Sequence, residues 1–138
     1  MAIKNSKQKA KFILVGGANT TIDFGVLFLL KALGLPAIPA NIISTSCAFV
    51  FSFFANRKYT FKSHETTNVK RELLLFVVIT LFGLWVLQAI VIKCTTAVLA
   101  GYLPDATALF IAKILATTVS LTWNYIMYSR VVFVTKKD

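Results

Sequence analysis

Hydrophobic positions along this chain gather into four long runs, parted by short polar or proline-broken segments. The runs cover about residues 12–33, 38–56, 73–95 and 107–128. Each approaches the roughly 20 helical residues that cross about 30 Å of hydrocarbon. Isolated strands are excluded as spans, because their backbone groups would go unsatisfied in lipid, and four strands are too few to close a barrel. The pattern therefore predicts an all-α membrane protein of four transmembrane helices. The segments between the runs differ. Gly34–Pro39 and Gly101–Asp105 are tight turns with Gly and Pro. Between them, Arg57–Glu72 is a longer polar loop that holds the one histidine, His64, read as a solvated loop residue. The first run is too long for a signal-peptide core and has no small-residue cleavage site, so it is expected to stay as a helix.

Charge then sets a direction. Hydrophobic residues make up 57% and charged ones 14%, yet the net charge is +10, so the cations must be segregated from the runs. Lys4, Lys7, Lys9 and Lys11 precede the first run. Arg57, Lys58, Lys62, Lys70 and Arg71 occupy the middle loop, and Arg130, Lys136 and Lys137 follow the last run. Only Lys31, Lys93 and Lys113 fall on the other side. The positive-inside rule then puts both termini and the middle loop in the cytoplasm. Tyr59, Phe61, Tyr125, Tyr128 and Phe133 mark the same boundary as an aromatic belt. This segregation also argues against a nucleic-acid binder, which would interleave its cations with core elements.

Each half is thus a helical hairpin that begins and ends on one side, and the halves read as a parallel repeat. A shift of 72 residues lays Ile42 on Ile114, Thr45 on Thr117, Lys58 on Arg130 and Phe61 on Phe133. It also aligns two ladders of small residues, Ala40-Ser44-Ala48-Ser52-Asn56 and Ala112-Ala116-Ser120-Asn124. Four-residue spacing keeps each ladder on one helix face, where small side chains allow close helix approach. Such a face either packs the second and fourth helices together or lines part of a path for a headgroup; repeat interfaces in transporters hold sites of this kind.

The sharpest residue is Asp23, about twelve residues into the first run. A carboxylate at that depth costs about 2.5–3.5 kcal/mol on insertion scales. Gly16, Gly17, Asn19, Thr20 and Thr21 precede it, so this stretch is small and polar and suits a bundle interior or cavity. Lys31 and Lys93 lie near enough to helix ends to snorkel. Lys113 lies deeper, where pairing with Asp23 or with an anionic ligand would relieve its cost. Asn56, Arg57 and Lys58 end the second helix and Arg130 the fourth, at the depth of a lipid phosphate, for which guanidinium offers a matched planar fork. Cys47 and Cys94 sit singly within apolar runs, and no metal-binding spacing or cofactor motif accompanies them. No nucleophile–base set or suitably spaced carboxylate pair is present in the sequence, so no catalytic residues are assigned and an enzyme is not expected.

Three segments carry a resemblance. Phe12–Phe24, with Gly16-Gly17, Asn19-Thr20-Thr21 and Asp23, resembles the opening motif of the GtrA-like family. Ser52–Phe61 resembles its second-helix signature, an Asn-Arg pair (Asn56-Arg57) followed by an aromatic and Thr-Phe. Asn124-Tyr125 through Arg130 to Phe133 resembles the matching end of the fourth helix. Tyr59 stands where Trp is commoner, and Val131 replaces an aromatic. The resemblance implies a small four-helix protein of the cytoplasmic membrane that flips a polyprenyl-phosphate-linked monosaccharide for cell-surface polysaccharide synthesis and supplies membrane glycosyltransferases. Some relatives instead look like accessory subunits that anchor a polyprenyl-phosphate glycosyltransferase. On the transport reading, Arg57, Lys58 and Arg130 attract the phosphate. Asn19, Thr20, Asp23, Asn56 and Asn124 line its passage, and Lys113 receives it. No GxxxxGK[ST] sequence is present, so drive must come from a gradient or from consumption outside. Four helices enclose little volume, and a homodimer is one way to build a groove. A small multidrug exporter would also have one acid in its first helix, but would lack so strong a charge bias.

Overall fold

The computed structural model describes residues 2–62 and 68–134, with side chains from Ser6 onward; Lys4, His64, Lys136 and Lys137 lie outside the described side chains. Among the described residues there are five α-helices: α1 (Ala2–Ala32), α2 (Ala37–Ala55), α3 (Val69–Leu81), α4 (Gln88–Leu99) and α5 (Asp105–Met127). A π-helical turn, Phe82–Leu87, joins α3 to α4 without a break, and two more, Asn56–Thr60 and Tyr128–Val132, end α2 and α5. Four continuous spans result: Ser6–Ala32, Ala37–Thr60, Val69–Leu99 and Asp105–Val132, each long and apolar enough to cross a membrane. The first helix starts about ten residues before its apolar run, so its basic N-terminal turns are helical too.

The chain forms two compact units, one reaching to Thr67 and the other Asn68–Val134. In the first, α1 and α2 form a hairpin. Gly34 takes φ +94°, Leu35 N–H donates to Leu30 O (3.0 Å) and Gly34 N–H to Lys31 O (3.0 Å). This crossed pair closes the last carbonyls of α1, and only glycine takes that backbone without strain. Pro36 then stops the helix, and Pro39 falls in the first turn of α2, where no intrahelical N–H is needed. In the second unit, α4 turns into α5 at Gly101 (φ +84°), with Tyr102 N–H donating to Leu99 O at 3.1 Å. Asn68 caps α3, its side chain accepting from the N–H groups of Lys70 and Arg71, and Glu72 lies in the first turn, where a carboxylate favours the helix dipole.

Burial inverts the pattern of a water-soluble bundle. Ala40, Ser44, Ala48, Asn56, Thr60 and Phe61 are buried, and so is the residue 72 positions after each. The exposed side chains are large and apolar, Trp85 at 72% and Ile38 at 76% among them. Small residues line much of each helix–helix face, joined by buried aromatics such as Phe53, Phe61, Phe76, Tyr128 and Phe133, while many large apolar side chains face outward. This suits a lipid solvent, which rewards close backbone packing and gives apolar surface no reason to hide. Helix α1 carries this furthest: among the described residues Val15 is its only fully buried one.

Candidate functional site: polar loci within the spans

Two polar loci lie inside the spans, one in each unit. In the first, Asp23 faces α2. Ser44 Oγ donates to Asp23 Oδ1 at 2.7 Å and Thr45 Oγ1 to the same oxygen at 3.3 Å. Ser44 is fully buried and Asp23 half-buried. A hydrogen bond to a charged group is worth about 1.5–3 kcal/mol, comparable to the cost of bringing the carboxylate to this depth. Asn19, four residues earlier and so on the same face, is half-buried, and its Oδ1 has no hydrogen-bond partner among the described residues. Thr20 and Thr21 turn away; their hydroxyls donate to Gly16 O and Gly17 O in their own helix (3.1 and 3.0 Å).

In the second unit the polar atoms form a string. Lys113 Nζ donates to Gln88 Oε1 at 3.0 Å, Gln88 Nε2 to Ser120 Oγ at 2.8 Å, and Ser120 Oγ to Thr117 O at 3.2 Å. Asn124 is buried one turn further on, its Oδ1 unpartnered among the described residues. It lies against Gly83, where a Cβ would stand 3.1 Å from that oxygen and 3.2 Å from Trp123 Cδ1. Trp123 Nε1 donates to Ile79 O at 3.2 Å, and Thr80 bonds the Tyr128 hydroxyl. Tyr128 stacks on Phe76 with ring centroids 4.5 Å apart.

The basic residues sit at the π-helical turns. In the turn ending α2, Phe61 N–H donates to Asn56 O (2.8 Å); in the turn ending α5, Phe133 N–H donates to Tyr128 O (2.8 Å). These turns lie 72 residues apart. Asn56 is buried, its Nδ2 donating to Ser52 O at 2.9 Å, while its Oδ1 and the Thr60 hydroxyl have no partner among the described residues. Arg57 is half-buried, Lys58 and Arg130 are exposed, and Lys11 lies 4.6 Å over the Tyr59 ring. Each unit thus has a cationic end and a polar locus within its span. The sequence reading passed over Gln88 and Glu72. Both are buried, and a glutamine in the middle of an apolar run was the available signal for the first.

The chain matches the GtrA/DPMS transmembrane domain over residues 11–137. It belongs to the GtrA/DPMS family. It is therefore a multi-pass membrane protein. A relative, the uncharacterized membrane protein YngA of Bacillus subtilis (strain 168), is 46% identical over 55 residues, 40% of this chain and 37% of that protein. The matched stretch spans less than half the length of either protein.

Proposed function

We propose that this GtrA/DPMS protein moves a polyprenyl-phosphate-linked monosaccharide across the cytoplasmic membrane, from the inner leaflet to the outer. The observation that carries the reading is Asp23, an acid held between two hydroxyls within a span. An anchor has no use for such a group, and intramembrane acids mark substrate paths as a rule. Both termini face the cytoplasm in this scheme. Arg57, Lys58 and Arg130 gather the phosphate there. The sugar passes the half-buried polar stretch at Asn19 and Asp23, and Lys113 takes the phosphate in the outer half. The polyprenyl tail remains in lipid, and no bond is made or broken. The receiving partners are membrane glycosyltransferases.

The test is exchange of a polyprenyl-phosphate sugar in vesicles holding the purified protein, read as enzymatic access to the outer-leaflet sugar. Wild type is expected to exceed protein-free vesicles, with Asp23→Asn and Arg57→Ala each slower by about tenfold or more, a loss of about 1.4 kcal/mol. Exchange at the protein-free rate, with an imposed ion gradient and with none, would sink the proposal in favour of an accessory subunit. A glycosyltransferase should then co-purify.

A further inference from the structure

This inference rests on the transport reading and deepens it at one position. Lys113 lies eight residues from Asp105, about 12 Å along the helix. A lysine there is expected to run toward that end and reach water, and helical side chains lean toward their own N-terminus in any case. Lys113 does the opposite. Its ammonium is bound to Gln88 Oε1, and the other end of the same amide is bound to Ser120, seven residues beyond Lys113 on the side away from Asp105. Seven residues are about 10 Å of helix. One amide bridges that span only if the lysine chain reaches along α5 toward Ser120. The charge is held within the span instead of being released to the interface.

Gln88 owes its place to the π-helical turn. The buried positions of α3, the turn and α4 are Glu72, Phe76, Ile79, Gly83 and Gln88, at steps of four, three, four and five. An α-helical register from Gly83 would present Val86 or Leu87 instead, neither of which bonds a lysine. The five-residue step, with Gln88 N–H donating to Gly83 O, brings the one amide side chain of this span to the buried face. Single π turns within helices often accompany functional sites.

The chemistry of the partner matters as much as its place. A carboxamide oxygen fixes the ammonium without cancelling its charge. Gln88 is the only partner of Lys113 among the described residues, so N–H groups remain for an anion. We propose that Gln88 is the positioning residue of a phosphate subsite: it holds the Lys113 ammonium within the span, placed to receive a phosphate oxygen of the lipid-linked substrate.

The test follows acylation of Lys113 by a membrane-permeant succinimidyl ester, quantified by mass spectrometry on the full-length protein in vesicles. Polyprenyl phosphate is expected to slow acylation of wild-type Lys113 by about fivefold or more, equivalent to about 1 kcal/mol. Lys93 should not be protected, nor should inorganic phosphate protect Lys113. Gln88→Leu and Gln88→Glu should abolish the protection, the first by releasing the ammonium and the second by neutralising it. Gln88→Asn should keep part of it. Gln88→Glu is nearly isosteric, which keeps the test informative if Gln88→Leu fails to fold. Wild-type protection in both Gln88→Leu and Gln88→Glu would overturn the positioning role and leave the transport reading intact. Equal protection by inorganic phosphate would overturn the lipid assignment. An unprotected wild-type Lys113 in vesicles that exchange substrate would overturn the subsite alone; absent protection together with absent exchange would overturn both.

Discussion

Ser44 is a serine at a position where the ladder of α2 otherwise asks only for a small residue. Alanine would pack there as well, so the hydroxyl answers to Asp23. Ser44→Ala should therefore leave packing intact and cost about 1.5–3 kcal/mol through the lost charge-assisted bond. Thermal unfolding in detergent would register this as a lowered midpoint. In Asp23→Asn the same serine change should cost less, because an amide oxygen is the weaker acceptor. Equal losses in the two backgrounds would mean that Ser44 stabilises α2 independently of Asp23. Asp23 stood out in the sequence because a carboxylate in an apolar run is expensive. Its partners did not, since which hydroxyls face helix 1 depends on the crossing of two helices and not on spacing in either one.

At the scale of the element, glycines divide sharply. Gly83 is enclosed, and a side chain there must displace Asn124 or Trp123. Gly83→Val should cost about 1–3 kcal/mol by overpacking. A Cβ at Gly16 or Gly17 would meet nothing within 4 Å. Gly16→Ala should then leave stability unchanged, or raise it by up to about 1 kcal/mol through helix propensity. Both are read from the same melting curves, and the order of the two variants is the discriminating result. Hydrophobic run length made the four spans legible, and turn chemistry at Gly34-Leu35-Pro36 and Gly101 fixed where hairpins close. The π-helical turns were not legible. A five-residue step inside a uniformly apolar stretch such as Phe82–Leu87 leaves no mark on hydropathy, because every register of it is greasy.

For the whole molecule, orientation is the property that charge alone predicts. With Cys47 and Cys94 replaced by alanine, single cysteines at Gly34 and Tyr102 should react with an impermeant maleimide added outside intact cells. A cysteine at Lys62 should react only after permeabilisation. Labelling of Lys62 from outside would invert the scheme, and partial labelling at all three would mean dual insertion. The candidate site was legible as a set of residue types at depth, Asp23 and Lys113 above all. How each is satisfied within its own hairpin became readable only from the fold.

The bonds to Asp23 also bear on how the protein is made. Ser44 lies 21 residues after Asp23 in the chain. A nascent chain that has delivered only α1 to the membrane carries a carboxylate with nothing to bond, at a cost of about 2.5–3.5 kcal/mol. The stabilising hydroxyls arrive with the next helix. Biogenesis should therefore favour entry of α1 and α2 together as a loop, with the insertion machinery sheltering the first helix until the second emerges.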